Sequence, residues 1–254
     1  MARIYHKNRP TRELILRTGM RLFLEKGYTK THCSSITKEL GISPGNLTFY
    51  FSTKEHLLAE LVEYLCRYQW LTMEAANEDG KSPLYSYCME LASMAALCRK
   101  DAIARDFYLS SYTHPISLEM IRKNDTIKTK QVFQEFCPDF TDENFRNLEN
   151  IVSGIEYATL ATDNPDDASF ENMLEYTLDC ILFMYRVPEE IRQMKIKKVL
   201  RSNYQQVAQQ MLKDFPAYVE ANTEQALEAA KQYLESHSAA AMVASTPFEQ
   251  GVYR

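Results

Sequence analysis

Residues 41–57, Gly-Ile-Ser-Pro-Gly-Asn-Leu-Thr-Phe-Tyr-Phe-Ser-Thr-Lys-Glu-His-Leu, constrain this chain more than any other stretch. Gly41 can take the positive φ that closes a tight turn. Ser43 is a good N-cap and Pro44 a good first helical residue, so a short helix of about seven residues is expected over 44–50. Ser52, with Glu55 three residues on, reads as a capping box for the helix after it. Upstream, Cys33 to Leu40 predicts one more short helix, with Ile36 and Leu40 facing inward. Helix, Gly turn, short helix is the arrangement of a helix-turn-helix reader of DNA.

Charge is placed to match. The whole chain has a net charge of −5, but residues 1–58 hold ten Lys/Arg against four Asp/Glu, a local +6, and the remainder carries −11. A basic head on an acidic body suits a protein that meets phosphate at one end only. Its 254 residues allow a sizeable core. Seven Gly and nine Pro are few, which suits long helices. The sequence holds no run near the ~18 uncharged apolar residues of a membrane span. Charged residues interrupt the N-terminal stretch where a signal peptide would need an apolar core, so a cytoplasmic protein is expected. The six cysteines and five histidines are scattered, without the spacing of a zinc site, and no metal or cofactor is expected. Buried thiols in a reducing compartment are the expectation for the cysteines.

Apolar periodicity predicts an all-α chain. A first helix spans about 10–26, followed by the two short ones and a long fourth helix from Thr53 to about Asn77, the rod joining head to body. Glu78 to Pro83 is a break. Body helices are expected at about 83–99, 101–112, 116–136, 142–162, 169–186, 189–213 and 217–237, punctuated by Pro115, Pro138, Pro165, Pro188 and Pro216, with Thr141 and Ser169 as caps. This divides the chain into a head (1–56), a body (57–238) and a loose tail (239–254).

From Thr11 to Leu58 the sequence resembles the DNA-binding domain of the tetracycline-repressor (TetR/AcrR) family of bacterial transcriptional regulators. The landmarks are Phe23, Gly27-Tyr28, Ile36, Gly41-Ile42-Ser43, Gly45-Asn46-Leu47, Phe51, Lys54-Glu55 and Leu57-Leu58. Three positions depart from that pattern. Thr48 stands where the family usually has Tyr, Thr37 replaces a small Ala, and His32 replaces a capping Thr, which leaves Thr31 as the expected cap. The resemblance implies a three-helix DNA-binding domain, joined by a long helix to a ligand-binding and dimerisation domain. The implied function is a ligand-responsive regulator, most often a repressor, that binds a palindromic operator as a homodimer.

The expected DNA-facing residues are Thr31, Ser34, Ser43, Pro44, Asn46, Thr48, Phe49, Tyr50 and Lys54. Asn46 and Thr48 offer hydrogen bonds, Phe49 and Tyr50 can pack on thymine methyls, and Lys54 would clamp a phosphate at the start of the fourth helix. Leu47 and Phe51 are expected inside. The resemblance implies an effector pocket in the body. Tyr85, Met89, Tyr108 and Tyr112 are the candidates, and their few charges point to an apolar or aromatic effector. It also implies a four-helix interface from two late helices of each chain. Ile151, Gly154, Ile155 and Ala158 would form one row, and Leu178, Ile181, Leu182 and Tyr185 the other. For catalysis the sequence offers no nucleophile elbow, phosphate loop or dinucleotide fingerprint. The carboxylate pairs Glu149/Glu156 and Asp166/Asp167 read as solvated helix faces or caps. An all-α small-molecule-binding protein or enzyme with a vestigial helix-turn-helix is the alternative.

Overall fold

Eleven helices, and no strand, make up the described residues of a computed structural model, which are 9–78, 82–163 and 166–243. Residues 1–8, the break at 79–81, Asn164, Pro165 and residues 244–254 of the expected tail lie outside them. The head is α1 (Arg9–Lys26), α2 (Cys33–Leu40) and α3 (Pro44–Tyr50), followed by α4 (Lys54–Glu78). At ~1.5 Å per residue, the 25 residues of α4 span about 37 Å. The body comprises α5 (Pro83–Lys100), α6 (Ala102–Thr113), α7 (Pro115–Phe133), α8 (Asp142–Ala161), α9 (Asp167–Met184), α10 (Glu189–Leu200) and α11 (Tyr204–Val243).

Local chemistry sets the helix ends. Gly41 caps α2 at φ 63°, and its amide and that of Ile42 close on the carbonyls of Lys38 and Thr37. The Ser43 hydroxyl accepts from the Asn46 amide, with Pro44 at the first helical position. Thr141 and Asn144 form a reciprocal capping box on α8. Asp166, rather than Ser169, caps α9 by accepting from the Ser169 amide. At α4 the cap is Thr53, one residue later than the sequence suggests; its hydroxyl accepts from the His56 amide, while Ser52 reaches the His56 ring. A threonine beside a serine offers the backbone two equivalent caps, and the capping box with Glu55 is not the one used.

The sequence misplaces one break. A single helix is expected to run through 189–213 and to stop near Pro216. Instead the chain turns at Arg201–Asn203, where the Ser202 hydroxyl donates to the Val199 carbonyl and the Asn203 carbonyl receives the Val207 amide. Pro216 then lies inside α11. Proline costs a helix interior one hydrogen bond. Here Phe215 and Val219, buried on either side, anchor the helix through it, and Tyr68 of α4 meets both Phe215 and Tyr218. Residues 239–243 of the expected tail belong to this helix.

One continuous core runs from head to body. Ile15, Phe23, Ile36, Leu47 and Phe51 fill the head, with Leu57, Leu58 and Leu61 of α4 beneath them. The same cluster continues through α5, the most buried helix, to Phe133, Phe145 and Tyr185. The rings of Phe133 and Tyr185 stack at 4.1 Å. No described helix is long and apolar enough to cross a membrane.

Candidate DNA-reading face and buried body site

Helix α3 is held from below and open above. Leu47 and Phe51 are buried, as the apolar spacing requires, while Pro44, Thr48 and Phe49 are exposed. Phe49 is 65% exposed, a large apolar surface to leave in water. Its ring meets Tyr50 edge-on at 5.0 Å. Asn46 and Tyr50 are half-buried at the rim, and Ser34 of α2 is exposed. The Thr48 hydroxyl turns back to the Pro44 and Gly45 carbonyls at 3.2 Å.

Two of the expected DNA contacts are engaged elsewhere. Thr31 is 1% exposed, and its hydroxyl donates to the Leu22 and Gly27 carbonyls. It staples the α1–α2 loop rather than facing outward, and α2 begins at His32 without a side-chain cap. The Lys54 ammonium donates to the carbonyls of Tyr28 (2.9 Å) and Thr31 (3.0 Å) and lies 4.0 Å from the Tyr28 ring centre. Burial lowers its pKa, opposed by nearby Cys33 and Asp106. Its charge is directed at the loop.

The same loop is held from the body. Asp106 of α6 accepts from the Thr29 amide at 2.8 Å and from the Thr29 hydroxyl. Gly27 has φ 89°, and a Cβ there would lie 2.6 Å from Asp106 Oδ2. His114, between α6 and α7, meets the Tyr28 ring at a tilt, 5.0 Å between centres, and sits 3.5 Å from Glu55. From the other side, Arg17 of α1 reaches Thr223 of α11 at 2.6 Å.

The body encloses a small cavity where α4, α5, α6, α7 and α8 converge. It measures about 20 Å³, room for roughly one water. Tyr108 and Tyr112 line it, as do Val62, Leu65 and Leu91. Tyr85 and Met89 do not. They face the other side of α5, where Lys198 covers the Tyr85 ring and Ser202 donates to the Met89 sulfur. A helix buried all round gives the sequence no way to choose between its faces. Outside the cavity, α4 and α7 frame an open vestibule of about 470 Å³ with Trp70, Leu71, Ile127 and Tyr218 on its walls. Cys66, Asp125 and Lys128 line both spaces. A larger open groove, about 800 Å³, runs over the outer faces of α7 and α8.

The inner cavity is charged, contrary to the expectation of few formal charges. Lys128 lies 2.8 Å from both Glu90 and Asp125. Glu149 and Glu156, read from sequence as solvated, are 1% and 5% exposed. Tyr112 donates to Glu156 at 2.9 Å, and the Tyr185 hydroxyl lies 3.5 Å from Glu149. Burial, reinforced by Asp125 and opposed by Lys128, pushes the Glu156 carboxyl up to about 8. Burial and Asp125 raise Glu149, and burial raises Glu90. Burial alone would lower Lys128, but Asp125 and Glu90 hold it well above its usual range. Spacing of seven on α8 is the sequence signal that puts Glu149 and Glu156 on one face; only the packing of α7 against it makes that face internal.

The expected dimer rows divide. On α8, Ile151, Gly154 and Ala158 are exposed and Ile155 is half-buried; a Cβ on Gly154 would meet nothing within 4 Å. On α9, Leu178, Ile181, Leu182 and Tyr185 are fully buried in their own chain. The outward face of α9 carries Tyr176 (78% exposed), Cys180 and Phe183 (65% exposed) instead. The helix is apolar on two sides, and the core takes the bulkier row.

Comparison with known proteins agrees with the architecture. Residues 15–61, from α1 into α4, match the family model of bacterial regulatory proteins of the tetR family. In Bacillus subtilis (strain 168), the uncharacterized HTH-type transcriptional regulator YerO is 38% identical over 149 residues, 57% of this chain and 48% of the relative. The uncharacterized HTH-type transcriptional regulator YuxN is 30% identical over 113 residues, 44% of this chain and 39% of the relative. The matches thus span about half or less of the relatives' lengths. The crystal structure of Thermus thermophilus FadR, a TetR-family transcriptional repressor solved with lauroyl-CoA, superposes with a TM-score of 0.53 at 20% identity. That superposition covers 70% of this chain and 96% of that one, and it shows a shared fold. With the helix-turn-helix and its Gly41 turn in place, residues 15–61 of this chain form a DNA-binding domain of the kind found in the tetR family of bacterial regulatory proteins.

Proposed function

We propose that this chain is a DNA-binding transcriptional regulator whose head docks α3 in the major groove and whose body responds to a small molecule. The observation that carries the reading is α3 itself: anchored by Leu47 and Phe51, it leaves Pro44, Thr48 and the 65%-exposed Phe49 facing out. Asn46, at the rim, can hydrogen-bond a base edge, and Phe49 can pack on a thymine methyl. Phosphate contacts fall to Ser34, Ser43, Tyr50 and the exposed Lys30 and Lys38, since Lys54 is occupied. A homodimer presents two such heads, which must sit about 34 Å apart to enter successive major grooves. The exposed apolar rows of α8 (Ile151, Gly154, Ala158) and α9 (Tyr176, Cys180, Phe183) form its interface.

Helix α6 supplies the coupling. Tyr108 and Tyr112 on it line the inner cavity, and Asp106 on it holds Thr29 in the head. An effector that enters through the vestibule and displaces α6 moves the loop on which α2 and α3 are seated. A change in head separation then weakens operator binding, the usual direction for a repressor; couplings of ~1–3 kcal/mol are typical. Selection of duplexes from a randomised pool by the purified protein tests the reading. Enrichment of a palindrome with half-sites one helical turn apart is expected, and the absence of any enriched sequence would reject it.

A further inference from the structure

Asp125 on α7 and Glu149 and Glu156 on α8 bring one carboxylate oxygen each to within 4.8 Å of one another. Two oxygens on opposite sides of a calcium-sized ion at about 2.4 Å are about 4.8 Å apart, and adjacent ones are closer. Against these three carboxylates and Glu90 the ion pairs supply one ammonium, Lys128. Acidic clusters alone are common. Here a group outside the cluster also lacks a partner: the hydroxyl of Tyr87, a residue 4% exposed that lines the cavity, makes no hydrogen bond. Glu149 Oε1 and Glu90 Oε2 are likewise buried and unpaired. Orphaned buried polar atoms cost about 1–3 kcal/mol each, which a ligand that satisfied them would recover.

We propose that the cavity beside α4 is a binding site for a hard divalent cation, held by Asp125 and Glu156, which line it, and by Glu149, whose carboxylate lies within 4.8 Å of both. As it stands the cavity, about 20 Å³, admits a single ion or water, and an organic effector reaches this inner space only by displacing α6. An all-oxygen donor set selects Mg²⁺, Ca²⁺ or Mn²⁺ over thiophilic metals. A water on the ion accepts the Tyr87 hydroxyl, and the ion takes the free Glu149 oxygen. Tyr112 and Tyr185 orient Glu156 and Glu149 from behind. The vestibule is the route in, since it shares Asp125 and Lys128 with the cavity. The ion ties α7 to α8 under α4, at the level of the two α6 tyrosines.

The test needs no DNA, so it fails or succeeds separately from the DNA reading. Protein stripped with a chelator is titrated with Mn²⁺ while free Mn²⁺ is followed by electron paramagnetic resonance. One Mn²⁺ per chain is expected, together with a raised melting temperature in Mg²⁺, Ca²⁺ or Mn²⁺ at constant ionic strength. Glu149→Gln and Glu156→Gln, equal in shape, should each weaken binding at least tenfold, and Tyr87→Phe by up to tenfold. Asp166→Asn, at the α9 cap, should leave it unchanged. If the Gln variants do not fold, Tb³⁺ emission sensitised by Tyr87 and Tyr112 in the wild type, and its displacement by Ca²⁺, decides. No saturable Mn²⁺ or Tb³⁺ binding, or binding indifferent to folded Glu149→Gln and Glu156→Gln variants, overturns the proposal.

Discussion

The head and the body solve the same packing problem with different material. The head is an apolar cluster in which several polar groups are satisfied from within: Ser43 on Asn46, Thr31 on Leu22 and Gly27, Lys54 on Tyr28 and Thr31. The body centres on charge, with Glu90, Asp125, Lys128, Glu149 and Glu156 drawn from three helices. A unit that must present one rigid face to a duplex gains from local closure. A unit that must sense a ligand gains from a centre whose groups are left short of partners, because a ligand can then change its energy.

The sharpest way to break this contrast is to remove the body's ammonium. Lys128→Met leaves Glu90 and Asp125 facing each other in the interior, and breaking a buried pair from one side costs about 3–5 kcal/mol. At ~2–4 °C per kcal/mol for a chain of this size, a fall of about 10 °C in melting temperature is expected. Lys54→Met, which removes the hydrogen bonds of a half-buried ammonium to the Tyr28 and Thr31 carbonyls, should cost about 1–2 kcal/mol. Equal losses would mean that the body's charges are better solvated than their burial implies.

Acidity separates the regions next. In chelator, the folded chain holds the Glu156 proton up to about pH 8, whereas an ordinary carboxyl releases it near 4.5. Between those values the folded state binds more protons than the unfolded state. Stability is therefore full below about 4.5 and falls as pH rises through 8, by an amount on the order of a few kcal/mol. Melts between pH 5.5 and 8.5 should show that decline, and Glu156→Gln should flatten it.

The two faces of α9 give a paired test. Phe183→Arg changes an exposed ring, so the melting point should hold while the dimer, followed by sedimentation, weakens at least tenfold. Leu182→Arg, one residue away and fully buried, should unfold the chain instead. A Phe183→Arg variant that still sediments as a tight dimer would move the interface elsewhere.

Within the head, two glycines with positive φ separate crowding from backbone preference. Gly27→Ala brings a Cβ to 2.6 Å from Asp106 and should cost about 2–3 kcal/mol. Gly41→Ala meets nothing within 4 Å and should cost about 1 kcal/mol. Asp106→Ala should bring the Gly27→Ala cost down to the Gly41 level.

How much of this was legible in the sequence follows the same division. The Gly41 turn, the Ser43–Pro44 start and the inward Leu47 and Phe51 depend on neighbours a few residues apart, and the sequence states them. So do the ends of most body helices, to within a residue or three. Lys54, Tyr85 and the expected α9 row escape the sequence because their surroundings are distant in it. The α1–α2 loop captures Lys54, Lys198 of α10 covers Tyr85, and α9 is apolar on both sides. Pro216 reads as a stop because propensity is local, whereas Phe215 and Val219 are buried and Tyr68 of α4 meets the Phe215 ring. The charges at the centre of the body were hidden for the same reason: Glu149 and Glu156 look solvated until α7 lies over them.

The account rests on α3 reading base sequence, and one measurement addresses that most directly. Fluorescence anisotropy would compare binding of the selected palindrome and a scrambled duplex across a salt series, for the wild type and for Asn46→Ala and Phe49→Ala. The expected result is a loss of about 5–100-fold in preference for the palindrome, with the salt slope unchanged, since base contacts carry about 1–3 kcal/mol of discrimination and phosphate contacts set the slope. Full preference retained by both variants would contradict the account.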